Sequence, residues 1–404
     1  MIKNANIFLF LLIIFTAQSQ NIKTIQLKPL GSKQFTAIVP LGTVLQLSFD
    51  DLEENQQDYQ YKIQHMTFDW QESNLLANQY INGFNQNSIT NVSNSFNTLQ
   101  FYTHYTVQIP NENTIITKSG NYLVSILNEF DEVLFSRRFT LYEKKVTVGV
   151  IAYRSRNTKT INKQQTVQFS INHPQLQINN PNVEIKVAVL QNNNWKTAIT
   201  NLQPQFFKPN QLIYNYTHQS NFWGGNEYLF FDNKIIRNKS LNISKIILEN
   251  VYHHYLYPFE YNEYKTYKYN PDINGQFIIR TLEGNNPQTE ADYAMMHFSL
   301  QVDKPFLDDI YIYGAFNNFE LNTENKMIFN KKNNTYQAKI LLKQGFYNYT
   351  FVSKNLENTL NKGSIRGGFS RTENHYTVLV YYKPFGGLFE RVIGVGTTIF
   401  KGEQ

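Results

Sequence analysis

Short runs of β-branched and aromatic residues, broken by Asn, Gly, Pro or Ser, recur along almost the whole chain, and in many of them apolar and polar positions alternate. A period of two puts one face of a strand against a core and the other toward water. The pattern predicts strands over residues 22–28, 35–39, 43–49, 59–66, 100–109, 122–127 and 132–142. It continues over 146–153, 166–171, 183–190, 211–216, 228–231, 243–251, 276–281 and 291–302, and then over 309–314, 335–342, 346–353, 375–382 and 389–400. Short strands spaced by roughly 8–12 residues belong to sandwiches and barrels. Helical periodicity is confined to one or two turns near residues 73–80. The predicted fold class is all-β, built from tandem β-sandwich (immunoglobulin-like) domains.

Two charged junctions divide the strand series. Glu143-Lys144-Lys145 precedes a fresh run at Val146, and Asp303-Lys304-Pro305 lies between two strong strand signals. The expected units are residues 20–145, 146–304 and 305–404, each of ordinary size for a sandwich. An outer-membrane barrel would show repeated alternating segments of about ten residues and aromatic girdles. Here strand lengths are uneven and Trp70, Trp195 and Trp223 form no girdle, so sandwiches are the preferred architecture.

The first 19 residues read as an address rather than as fold. Lys3 supplies a positive start, residues 7–15 are all apolar, and Ala17 and Ser19 place small side chains before Gln20, as in a secretory signal peptide. No segment approaches the ~18 apolar residues of a membrane-spanning helix. An exported protein without a transmembrane segment of its own is expected.

Composition narrows the chemistry. Among 404 residues there is no cysteine, which excludes disulfide scaffolds, thiolate-bound zinc and thiol nucleophiles. The net charge of +6 comes from interleaved signs, not from the clustered basic stripe that nucleic acid requires, so no nucleic-acid partner is expected. The 51 asparagines are costly to bury unpaired and are expected in turns and on outward faces.

Catalytic patterns are missing: there is no Gly-x-Ser-x-Gly, no His-Glu-x-x-His and no phosphate-cradling glycine loop. His253 and His254 are adjacent and must point to opposite faces of a strand, so they cannot share a metal. Asp272-Ile-Asn-Gly275 opens like a calcium loop but lacks the later bidentate glutamate, and Asn274-Gly275 reads as a turn. Asp50-Asp51 and Asp308-Asp309 abut strand ends, where solvated charges are common. No catalytic residue, metal or cofactor is expected, and the chain is read as a non-enzyme.

One segment is unusually rich in tyrosine. Tyr252, Tyr255, Tyr257, Tyr261, Tyr264 and Tyr267 lie close together, with Tyr269 and Phe259. From Tyr255 to Tyr261 aromatics recur at every second residue, which on one strand would align four rings. Such a row suits a partly wet partner-contact surface, or else an inward face packed on a neighbouring sheet. Pro258 interrupts the strand and favours the second reading.

Residues 310–319, Ile-Tyr-Ile-Tyr-Gly-Ala-Phe-Asn-Asn-Phe, are followed by Lys326-Met327 and by Gly345-Phe-Tyr-Asn-Tyr-Thr-Phe351. This stretch resembles the glycogen- and starch-binding sandwich of the early-set immunoglobulin type, which implies such a fold for the C-terminal unit. Its sugar-stacking positions are altered: Phe319 replaces the module's Trp, and Thr350 stands where its Lys would be. An exported carbohydrate-binding sandwich protein of the cell envelope is therefore the alternative reading.

Across the mature length, a further set of landmarks occurs in order: Leu47-Ser-Phe-Asp-Asp-Leu52, Tyr59-x-Tyr-Lys-Ile-x-His65, Asp69-Trp70-x-x-Ser73, Ile81-x-Gly-Phe84, Ser95-Phe-Asn-Thr98, Tyr102-x-His-Tyr105, Ile109-Pro-Asn111 and Ser119-Gly-Asn-Tyr122. Gln191-Asn192, Gly224-Gly-Asn-Glu227, Asp272-Ile-Asn-Gly275 and Ala291-Asp-Tyr293 complete it. The chain resembles the type IX secretion plug protein family of Bacteroidota, with Met66 where that family has a cysteine. The resemblance implies a periplasmic accessory on the inner side of the outer membrane. Its partner would be the large translocon β-barrel, whose periplasmic opening it would block as a monomer within a hetero-complex.

Overall fold

The structure is a computed structural model that describes residues 21–53, 55–262, 264–357 and 359–402. The segment read as a signal peptide lies outside the described residues. The all-β expectation holds: strands dominate, and helix is limited to single turns such as Ala77–Tyr80, the turn expected near residues 73–80.

The first sandwich follows from alternation. One sheet orders Ile22–Pro29, Leu45–Asp51, Thr103–Ile109 and Asn91–Asn94. The other orders Ile38–Pro40, Val133–Tyr142, Gly120–Leu127, Gln60–Met66 and Gln86–Ser88. Leu45, Leu47 and Phe49 point inward from the first sheet and meet Tyr61, Ile63, Tyr122, Val124 and Ile126 from the second.

The second sandwich does not end where residues 303–305 suggested. One sheet contains Thr147–Arg154, Gln164–Asn172, Gln211–Tyr214 and Phe206–Lys208. Its facing sheet pairs Ile185–Gln191 with Asn374–Tyr382, which in turn pairs with Arg391–Phe400. The last strands of the chain thus return to the middle unit, and residues 305–404 are not a separate domain. The physical reason is apolarity on both faces. Ile185–Gln191 and Asn374–Tyr382 are almost continuously buried, as strands covered on both sides must be. Val187, Val189, Val378 and Val380 face the second sandwich's own core. Their neighbours Ala188, Leu190, Leu379 and Tyr381 face the other way, where Phe68, Ile38 and Tyr142 of the first sandwich cover them. Close approach is also built into the last strand. A Cβ at Gly396 would stand 2.5 Å from the Val148 carbonyl oxygen, so only glycine lets that strand lie against Thr147–Arg154.

The third sandwich is inserted between these pieces and gathers residues 231–365 around one core. Leu229–Asp232 and Phe277–Ile279 flank Gly345–Lys354, which also carries Asp309–Tyr313. The facing sheet orders Ile243–Leu248, Tyr252–Leu256, Tyr293–Gln301, Thr335–Lys343 and Ile328–Asn330. Asparagine follows its expected use only in part, since Asn121, Asn194, Asn233, Asn325, Asn348 and Asn374 are buried. Asn97, Asn192, Asn193, Asn242, Asn274, Asn318 and Asn334 all take left-handed backbone conformations in turns. At the Asn274-Gly275 turn, any Cβ on Gly275 would strike the Tyr228 ring at 2.7 Å.

Candidate functional site

The tyrosine segment is split rather than aligned. Pro258 separates Tyr252–Leu256 from Phe259–Glu260, and the parity of the exposed face changes across it. Tyr252, Phe259 and Tyr261 pack against the third core. Tyr255 stacks on His297 with ring centroids 4.1 Å apart, and Tyr267 donates to Glu227 Oε1 at 2.6 Å. Only Tyr257 and Tyr264 of the six candidates stand open to solvent, 63% and 86% exposed. With Tyr269, 51% exposed, the segment therefore offers three separate exposed rings, not a four-ring face. His253 and His254 do diverge: His254 is buried on the Ile236 carbonyl, while His253 meets His297 at 2.9 Å.

The strongest chemistry lies where the first and third sandwiches meet, at a residue the sequence placed in solvent. Asp50 and Asp51 are fully buried, not solvated. Asp51 accepts from the Tyr59 hydroxyl at 2.7 Å. Asp50 accepts from Lys343 Nζ at 2.7 Å and from the Tyr293 hydroxyl at 2.7 Å, and its other oxygen lies 2.5 Å from His104 Nδ1. Burial alone would raise the Asp50 carboxyl. The Lys343 charge, with the hydrogen bond and charge of His104, outweighs that penalty and holds it below the usual carboxylate range. Lys343 is itself inaccessible, donates to the Gln288 carbonyl at 2.6 Å and sits 3.9 Å above the Tyr102 ring. Asp292 extends the joint by accepting from the backbone amides of Leu99 and Gln100 at 2.7 and 3.1 Å.

The first and second sandwiches are joined by the doubly buried strands and by a polar seam. Arg391 holds Glu143 with two bonds of 3.1 and 2.6 Å, and the Tyr381 hydroxyl donates to Asn121 at 2.8 Å. Trp70 and Trp195 meet edge to face across this boundary, 4.9 Å apart. The second and third sandwiches meet at Asn194, which donates to the Tyr313 hydroxyl at 2.9 Å, and at Glu227. Burial, with the charges of Asp272 and Glu373 nearby, pushes Glu227 up to about 7 against two hydrogen bonds that favour its charged form. Burial likewise lifts Asp272 to about 6.

The positions that would stack or clamp a sugar are turned inward. Phe319 packs on Tyr313 at 5.2 Å and Thr350 is buried. Among the described residues no group of three or more His, Asp or Glu side chains is arranged to hold a metal ion.

A family model described as the first domain of the type 9 secretion system plug protein matches residues 22–143, the span of the first sandwich. The chain also superposes on the crystal structure of a hypothetical protein from Parabacteroides merdae ATCC 43184. The two are 31% identical with a TM-score of 0.90, over 94% of this chain and 97% of that one. This chain belongs to the type 9 secretion system plug protein family. No curated protein matches it. The plug domain carries the Asp50 and His104 half of the buried joint, and Lys343 and Tyr293 lie far beyond it in sequence. The same plug domain exposes large rings at Phe84, Phe96, Phe101 and Phe130, which the sequence reading did not single out because none of them forms a row.

Removing one partner of a buried pair strands the other. Lys343→Met is expected to destabilise the protein by about 3–5 kcal/mol, and Asp50→Asn added to it to recover much of the loss. Chemical denaturation of the single and double variants measures this. Glu227 has the opposite sign. Its raised value means that stability is fully present below the unfolded 4.5 and is lost as pH rises through about 7. Glu227→Gln keeps the oxygen acceptor without the charge. It should therefore raise stability by about 1–2 kcal/mol near pH 8 and change little near pH 5, as thermal melts at the two pH values will show.

Proposed function

We propose that this chain closes the periplasmic opening of the type IX outer-membrane translocon barrel by non-covalent contact, without making or breaking a bond. The observation that carries this reading is the plug-domain match over residues 22–143 on a body whose three sandwiches are mutually locked by buried contacts. A stopper works by shape. It must present a large folded cross-section that does not hinge, and interfaces that are large, apolar and internally bonded supply that. Its place is the periplasm, on the inner side of the outer membrane, following export directed by the first 19 residues. It acts there as a monomer within the complex.

Contact is made through exposed aromatic rings, which give large area at small entropic cost. Phe84, Phe96, Phe101 and Phe130 on the plug domain, with Tyr257 and Tyr264 on the third sandwich, are the proposed anchors. Tyr252, Tyr255, Tyr261 and Tyr267 support the surface from within and do not reach the partner.

Affinity purification of the tagged protein from detergent-solubilised envelopes tests the reading. The expected result is recovery of a large outer-membrane barrel, weakened about tenfold or more when two of the exposed phenylalanines are replaced by serine. Recovery of the protein free of any barrel, at native expression, contradicts the proposal.

A further inference from the structure

A second surface feature lies outside the plug-domain match. Between the second and third sandwiches runs a cleft of about 830 Å³, within the range of roughly 300–1,000 Å³ typical of ligand sites. Its walls are apolar where Phe222, Trp223, Ile199, Leu360 and Phe369 contribute, and four lysines line it: Lys163, Lys196, Lys265 and Lys362. No Asp or Glu lines it among the described residues.

Two of the four lysines are not neutralised by a described carboxylate. Lys196 pairs with Glu320 at 3.5 Å, and Lys265 donates to the Ser364 carbonyl. Lys163 and Lys362 have no carboxylate within ion-pair distance among the described residues. Lys362 instead lies 5.7 Å over the Tyr313 ring, and burial lowers it to about 8. An anion entering the cleft would restore the charge that burial penalises. Trp223 is 54% exposed, yet its backbone is fixed, because its carbonyl accepts from Gln191 at 2.9 Å. Phe222 beside it is anchored in the second core. The ring is thus uncovered on an anchored stretch of backbone. Thr197, also in the wall, has a buried hydroxyl with no partner among the described residues, free to bond a backbone amide or carbonyl.

The donor set discriminates between ligands. Neutral sugars need carboxylate or amide oxygens to accept from their hydroxyls; the ammonium groups here supply only donors, and of the wall amides Gln191, Asn221 and Asn361, the oxygens of Asn221 and Asn361 already accept within the protein, from Thr166 and the Gly363 amide. Phosphate is held best by guanidinium forks and nests of backbone N–H groups. No arginine lines this cleft, and the neighbouring Arg366 is turned inward to the Glu227 carbonyl. Carboxylates next to an aromatic or aliphatic side chain match both the lysines and the Trp223 wall.

We propose that this cleft binds an acidic peptide segment, with its carboxylates on Lys163 and Lys362 and an apolar side chain against Trp223. The site is independent of the plug reading, since none of its residues falls within residues 22–143.

The test uses the purified mature chain and a capped hexapeptide alternating glutamate with phenylalanine, followed by tryptophan fluorescence and calorimetry. Trp70 and Trp195 cover one another, so the emission change should report Trp223. Binding should weaken about tenfold between about 0.05 M and about 0.5 M salt. The Lys163→Gln/Lys362→Gln double variant should weaken it at least as much as high salt does, and Trp223→Ala should remove the fluorescence response. Lys118→Gln, on the first sandwich, should leave it unchanged, with circular dichroism confirming the fold of every variant. No binding of the acidic peptide overturns the proposal. So does binding that survives the double lysine variant, equal binding of a peptide alternating lysine with phenylalanine, or tighter binding of maltoheptaose or inorganic phosphate.

Discussion

A carboxylate cut off from water must find its counter-charge where it is buried, and Asp50 finds it on another sandwich. Lys343, equally inaccessible, arrives from a strand 293 residues further along the chain, and the Tyr293 hydroxyl joins it on the same oxygen. Neither charge tolerates separation, because in a low-dielectric interior an unpaired ion costs several kcal/mol. The first and third sandwiches are therefore bound in one relative placement. A hinge opening between them would expose the pair to water and break the bonds that cross the joint, from the Tyr293 hydroxyl to Asp50 and from the Leu99 and Gln100 amides to Asp292.

The other junction uses apolar burial instead. Ile185–Gln191 and Asn374–Tyr382 serve two cores at once, with alternate residues committed to the second sandwich and to the first. Since the second strand comes from the end of the chain, the third sandwich lies in sequence between the two parts of the middle one. Three sandwiches, each of a size that could stand alone, are in this way made into one body. Under the proposed stopper role this matters more than any local chemistry, because occlusion depends on the outline of the whole molecule.

Much of this was legible in the residues. Long strands such as Gly120–Leu127 and Gly345–Lys354 announce themselves by β-branched and aromatic content, and the all-β class follows. The landmarks that resemble the plug family cluster in the first sandwich, where the family model matches. Domain boundaries were misread at residues 303–305, because a charged, proline-bearing connection looks the same whether it ends a domain or crosses between its sheets. The continuous apolarity of residues 185–190 and 376–382 was the available signal for double burial, and it points away from an edge. The strand-end position of Asp50 suggests solvation, because local pattern cannot show a partner 293 residues distant. The tyrosine row failed for a local reason: Pro258 breaks the strand, so alternate residues on its two sides no longer share a face. The lysine-lined cleft had no local signature at all, since its walls come from five separated segments.

The central claim is that a locked, chemically inert body closes a pore, and ionic conductance through the purified translocon in a planar bilayer tests it most directly. The account predicts that adding this protein to the periplasmic side closes the channel, and that a variant carrying Lys343→Met, folded but loosened at the first joint, closes it less completely or for shorter times. A channel that conducts equally with and without the protein, at concentrations where the two are seen to bind, would contradict it.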